Sequence, residues 1–135
     1  MPSVDGTGNS CMTAIISGNP EGAKKLADFY GIAHVYDYSE YDAALASGNF
    51  DAVYIALPNS MHAEYTIRAA RHGIHALVEK PLAISAQECR EMIEAARENK
   101  TALMTAYRLH CVPGMIEPIK LVQQGEIGDV KYITS

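Results

Sequence analysis

Glu79-Lys80-Pro81 sets two opposite charges directly after an apolar run, ahead of a proline that fixes the turn. Lysine is costly to bury without a partner. At the mouth of a cleft its ammonium stays charged and can polarise a hydroxyl or a carbonyl, while Glu79 steadies it. The competing interpretation is an exposed ion pair, worth about 0–1 kcal/mol. Leu57-Pro58-Asn59 also follows an apolar run. Pro58 denies a strand ladder its donor and turns the chain away. Asn59 then offers a donor and an acceptor, and His62 stands three residues on. Taken alone, Asn59 is a helix cap and His62 a surface side chain. Ser17-Gly18-Asn19 and Tyr107-Arg108 complete the set of polar segments that follow apolar runs.

The elements that must position these segments alternate between strand and helix. The apolar runs Cys11 to Ser17, His34 to Tyr38, Asp51 to Leu57, Ile74 to Val78 and Thr101 to Ala106 predict strands. Between them lie helices with readable ends. Asn19-Pro20 suits a cap and first helical position, with Ala23, Leu26, Ala27 and Tyr30 on one face and Gly31 as the stop. Ser39 to Asp42 opens a short second helix in capping-box fashion. The helix after Pro58-Asn59-Ser60 runs to about His72, with Ala63, Ile67 and Ala70 on one face and Gly73 as its stop. Ser85 to Glu88 is a capping box with the stripe Cys89, Met92, Ile93 and Ala96 behind it. Val112 to Gln124 predicts a last helix, and Gly128 to Ser135 a last strand. The fold class is therefore α/β, a parallel sheet with helices on both faces and strands buried on both sides. Ligands of such sheets bind beyond the carboxyl ends of the strands, which is where all the polar segments fall.

The chain has 135 residues, of which 48% are hydrophobic and 20% charged, with a formal net charge of −5. This balance predicts a globular chain rather than a disordered one, and its sign argues against nucleic acid or an anionic membrane as a partner. No apolar stretch approaches the ~20 residues of a membrane span. Residues 1–10 are polar, with no signal-peptide core, and read as a flexible tail. Gly6-Thr7-Gly8 lacks the third glycine of a phosphate-loop fingerprint and has no strand before it. Cys11, Cys89 and Cys111 lie far apart and predict buried free thiols in a reducing cytoplasm.

In dinucleotide-binding folds an Asp or Glu at the end of the second strand binds the ribose 2′-hydroxyl of NAD. Here that position carries Ser17. A hydroxyl tolerates a 2′-phosphate that a carboxylate would repel, a helix N-terminus follows, and Lys24 and Lys25 add charge. The plainer alternative is a strand-to-helix turn capped by Asn19.

The run DAVYIALPNSMHAEYTIRAARHGIHALVEKPLAISAQECREMIEAARENKTALMTAYRLH resembles the glucose-fructose oxidoreductase, inositol dehydrogenase and rhizopine-catabolism (Gfo/Idh/MocA) family of NAD(P)-dependent oxidoreductases. SGNPEGAKKLADFYGI followed by VYDYSEYD is similar to its glucose-fructose oxidoreductase branch. The resemblance covers about residues 11 to 135, and ALPNSMH followed by EKP is its most specific part. It implies a Rossmann domain followed by a substrate domain. Ser17, Gly18 and Asn19 would then lie by the adenosine ribose and its 2′-phosphate, and Leu57, Pro58, Asn59 and His62 would line the dinucleotide. Glu79 and Lys80 would sit near the nicotinamide, with Lys80 the active-site lysine, and Arg108 would also approach the cofactor.

Two departures accompany the resemblance. The family's first strand and glycine-rich turn are not matched, and the chain ends where the substrate domain would begin. The expected organisation is a tail over 1–10, a partial NAD(P)-binding Rossmann domain over 11–127 and the start of a substrate domain over 128–135. A sheet without its first strand leaves unpaired edges, so the chain is expected either to associate, as a homo-oligomer, or to be a fragment of a longer protein. The implied function is hydride transfer between a sugar or polyol and a nicotinamide cofactor, NADP before NAD. The isolated chain is expected to show no turnover. The alternative is a catalytically inactive remnant that binds nucleotide or a protein partner.

Overall fold

The computed structural model describes Val4 and residues 6–132. The chain divides into two compact units, Met1–Thr105 and Ala106–Ser135. The first contains β1 (Ala14–Ile16), α1 (Pro20–Tyr30), β2 (His34–Tyr36), α2 (Tyr41–Leu45), β3 (Ala52–Ile55), α3 (His62–Arg71), β4 (His75–Val78), α4 (Ala86–Glu98) and β5 (Leu103–Thr105). The α/β alternation of the sequence is therefore the alternation of the fold.

Local chemistry sets the helix ends. The Asn19 side chain accepts from the Gly22 N–H at 3.0 Å, Pro20 opens α1, and Gly31 closes it at φ 65°, a left-handed conformation that glycine adopts without penalty. Ser85 accepts from the Glu88 N–H at 3.1 Å, and the Glu88 carboxylate returns to the Ile84 N–H at 3.2 Å. The second capping box lies two residues earlier than its sequence reading. Asp37 accepts from the Ser39 N–H, Glu40 from the Asp37 N–H, and a 3₁₀ turn over Tyr38–Glu40 precedes α2.

All strand pairs are parallel, and the sheet comes in two pieces, β1-β2 and β3-β4-β5. No described strand lies between β1 and β3. The parallel α/β sheet that the sequence predicts is therefore formed. α3 packs on β3, β4 and α4, and the core between them holds Tyr41, Ile55, Tyr65, Val78 and Met92.

Burial of the strands on both sides is not what the structure shows. In β4, Ala76 and Val78 are buried while His75 and Leu77 are exposed. The register aligns Tyr54, Leu77 and Met104 across the three strands, and all of them are exposed. α3 and α4 cover the opposite face. The sheet is thus covered on one side by this unit's own helices, and its strands alternate as half-buried strands do. The face of α1 is also narrower than predicted: Ala23 and Ala27 are buried, while Leu26 and Tyr30 are not.

In the second unit a 3₁₀ turn over Arg108–Cys111 leads into α5 (Pro113–Gln123). The strand expected over Gly128 to Ser135 is not formed at residues 128–132, and residues 133–135 lie outside the described ones. The cysteines are free, but Cys11 and Cys111 are exposed and only Cys89 is partly covered, which corrects the expectation of buried thiols. Among the described residues no helix is long and apolar enough to cross a membrane.

Candidate functional site

Ile55 pairs with Val78 in the β3-β4 register, so Leu57 and Lys80 each stand two residues beyond the same level. The two turns at the carboxyl ends of β3 and β4 are therefore neighbours. His62 joins them. Its Nε2 lies 2.9 Å from the Leu57 carbonyl oxygen and its Nδ1 lies 2.9 Å from that of Pro81. The ring has no exposed surface. Taken alone the sequence suggests a surface side chain, and the resemblance implies a place along the dinucleotide; the structure corrects the first by burying His62 beneath the turns, with both nitrogens within hydrogen-bond distance of backbone carbonyls.

Glu79 does not pair with the neighbouring ammonium. Its carboxylate accepts from the Tyr54 hydroxyl and from the Lys80 backbone N–H, the latter at 3.1 Å. The Lys80 side chain is exposed and forms no ion pair among the described residues. The exposed ion pair considered from sequence is thus not formed. The Lys80–Pro81 peptide is cis.

The Tyr54 hydrogen bond, followed by that from Lys80 N–H, holds the Glu79 carboxyl below the usual carboxylate range, and the same bond raises the Tyr54 phenol. A lowered carboxyl contributes stability that is present above the ordinary carboxylate range and is lost as pH falls through the lowered value. Tyr54→Phe is therefore expected to reduce the urea midpoint at neutral pH. The deficit should shrink at acid pH below the lowered Glu79 value, where the carboxyl is protonated in both proteins. Urea titrations of both proteins at the two pH values check this.

Asn59 begins a 3₁₀ turn, Asn59–Met61, and its side chain caps nothing. The cap expected from sequence is absent, and the Asn59 carboxamide is exposed beside the exposed ring of Pro58. At the end of β1, the Ser17 hydroxyl accepts from the Asn19 N–H at 3.2 Å. Gly18 lies close under the Tyr38 ring, which an added Cβ would meet at 3.0 Å, so any side chain there would have to push the ring aside by a few tenths of an ångström. Tyr38 in turn packs edge-on against Tyr65 of α3, which ties this turn to the core beneath the other two. Lys24 and Lys25 are exposed on α1. Arg108 is exposed in the second unit, at the start of the 3₁₀ turn there.

Tyr54 escaped the sequence reading. The signal for it is the register, which sets Glu79 two residues beyond the partner of Tyr54 and on the same face. Among the described residues no cluster of His, Cys, Asp and Glu could hold a metal ion.

Residues 3–107 match the model of the Gfo/Idh/MocA oxidoreductase family, whose NAD-binding domain has a Rossmann fold; the match takes in Gly6-Thr7-Gly8. The chain is 33% identical over 135 residues to the NADP(+)-dependent D-xylose 1-dehydrogenase of Haloarcula marismortui, covering 98% of this chain and 37% of that enzyme. It superposes on the aldose-aldose oxidoreductase of Caulobacter crescentus, crystallised with glycerol, with a TM-score of 0.88 at 38% identity, over 93% of this chain and 38% of that one. KijD10, a 3-ketoreductase from Actinomadura kijaniata crystallised with TDP-benzene and NADP, gives a TM-score of 0.84 at 31% identity, over 96% of this chain and 40% of that one. The chain thus spans less than half the length of each of these proteins. The matched residues, the parallel α/β order and the turns that end β3 and β4 agree: the chain belongs to the Gfo/Idh/MocA family of oxidoreductases, in its NAD-binding Rossmann part.

Proposed function

We propose that this chain is the cofactor-binding part of an oxidoreductase that exchanges hydride between a sugar or polyol and a nicotinamide dinucleotide, NADP before NAD. The observation that carries the reading is the Lys80 ammonium, exposed and without an ion-pair partner among the described residues, on a turn strapped beside Pro58-Asn59. The polar groups at these turns suit the cofactor. The Asn59 carboxamide and the Lys80 ammonium have no partner among the described residues, and Pro58 offers an apolar surface to a ring. Leu57, Pro58 and Asn59 would line the dinucleotide, Glu79 and Lys80 the nicotinamide end, and Ser17, Gly18 and Asn19 the adenosine ribose. The nicotinamide supplies the two-electron exchange when bound. Lys80 holds the substrate oxygen by a charge-assisted hydrogen bond and stabilises charge as its proton leaves or returns. Glu79, already satisfied by Tyr54 and the Lys80 N–H, fixes the lysine backbone without neutralising its side chain.

The xylose dehydrogenase and KijD10 are NADP proteins by their own descriptions, and this supports NADP here. Ser17 supports it independently, because a carboxylate there would repel a 2′-phosphate. Ser17→Asp is expected to move the ratio of NADPH to NADH affinity toward NADH by about tenfold, or about 1.4 kcal/mol. Parallel fluorescence titrations with both cofactors measure it, and an unchanged ratio would place the 2′-phosphate elsewhere.

The reading extends to a cytoplasmic chain that self-associates. The free edges of β1 and β3 and the exposed row Tyr54, Leu77 and Met104 favour association. The same features support a second reading, an inactive module that binds a protein partner. Titration with NADPH separates them. Saturable binding in the range of enzyme KM values, about 1 μM–1 mM, supports the first. No binding, together with a stable oligomer by light scattering, supports the second.

A further inference from the structure

Each oxygen of the Glu79 carboxylate holds a different donor. The Tyr54 hydroxyl donates to Oε1, and the Lys80 backbone N–H donates to Oε2 at 3.1 Å. The Lys80 ammonium belongs to the adjacent residue, on a four-carbon stem long enough to reach that carboxylate. It nevertheless forms no ion pair among the described residues. The phenol occupies the place that the ammonium would otherwise take. We propose that Tyr54 is a positioning residue for Lys80: its hydroxyl holds the Glu79 carboxylate against the exposed face of the sheet and keeps it from closing onto the Lys80 ammonium.

The frame behind this arrangement is fixed by backbone. β3 and β4 pair in parallel with Tyr54 opposite Leu77, so Glu79 stands two residues beyond that level with its side chain on the same face. The Glu79 N–H donates to the Ile55 carbonyl at 2.9 Å, which ties the residue to β3 one position beyond Tyr54. The Glu79 side chain is the part free to turn between phenol and ammonium. A hydrogen bond to a charged acceptor contributes more than an exposed ion pair, which water screens and which must order a long side chain. The lowered Glu79 carboxyl and the raised Tyr54 phenol, each owed first to the bond between them, agree with that choice. Loss of the hydroxyl would leave Oε1 without its donor, and Lys80 is the cation whose charge the carboxylate feels most. The value of a free ammonium rests on the function proposed above, in which Lys80 holds the substrate oxygen; the contact that keeps it free does not.

The test is competitive labelling of the chain's amines with trace acetic anhydride at mildly alkaline pH. Peptide mass spectrometry reads each lysine, with the exposed Lys24 and Lys100 as internal standards. An amine acylates only as its free base, and an ion pair favours the ammonium. Tyr54→Phe is expected to slow Lys80 about two- to fivefold relative to those standards, the span of an exposed ion pair. Tyr54→Phe combined with Glu79→Gln is expected to restore the native rate, because a neutral carboxamide offers no charge to pair. An unchanged Lys80 rate in Tyr54→Phe overturns the proposal. So does a slowing that persists in the double variant, since it would come from altered packing rather than from the carboxylate. Should Tyr54→Phe not fold, Glu79→Gln in the native background decides. Its Lys80 rate is expected to stay within about twofold of the native one, and a larger rise would mean that the ion pair is already formed. Labelling needs no cofactor: failure of NADPH binding leaves these rates readable, and unchanged rates leave NADPH binding as measured.

Discussion

Lys80→Met, made in a polypeptide that joins this domain to a substrate domain, is expected to lower kcat/KM for sugar oxidation by about 10²–10⁴-fold, the span of a positioned proton-transfer group. Methionine keeps much of the apolar stem and removes the ammonium. Glu79 would retain both of its partners, because it binds the Lys80 backbone and the Tyr54 hydroxyl rather than the lysine side chain. The fold around the turn should therefore survive, and NADPH affinity should change little. The loss should fall on kcat and kcat/KM together, as for a group acting mainly in the transition state. Initial rates from nicotinamide absorbance, with cofactor titration alongside, separate the two effects. A change in rate of less than about threefold would remove Lys80 from the chemistry.

Met92→Ala is expected to cost about 2–5 kcal/mol of unfolding free energy. Met92 is fully buried where α4 meets the core, in the same cluster as Tyr65, Ala69 and Val78. Truncation removes packed methylenes and leaves a cavity that helices and strand cannot all close at once. Ile93 is the internal control. It belongs to the same apolar stripe in the sequence, but is 51% exposed. Ile93→Ala should cost far less, within about 1 kcal/mol. Urea unfolding at constant slope measures both, and equal losses would contradict the packing described here.

These residues also show what the sequence could convey. Helix ends were legible because their chemistry is local: Asn19, Gly31 and Ser85 act within a few residues of themselves. The turns at Pro58 and Pro81 were legible as strand ends for the same reason. Which members of a stripe are buried was not, since Met92 and Ile93 differ only in which neighbour covers them. Nor was the free sheet face, because apolar runs look alike whether covered on one side or two. Which partner Glu79 takes was not legible either, for a physical reason. Adjacent opposite charges invite an ion pair, but a phenol on the next strand competes for the carboxylate, and only the register brings it there. His62 illustrates the remaining gap. Its spacing to Thr66 and Ala69 places it on the buried stripe of α3, but nothing in the spacing tells which carbonyls converge on the ring.

The sheet's two-piece order governs which amides exchange first with solvent deuterium. In β3, Asp51 and Ile55 accept from β4, so the main-chain groups of Ala52 and Tyr54 point to the open edge. β4 is bonded on both sides, to β3 and β5, and its inward side chains are buried. Deuterium should enter Tyr54 within the earliest time points and reach Leu77 and Val78 last, so that the chain opens from its rims while the middle strand of the larger piece endures.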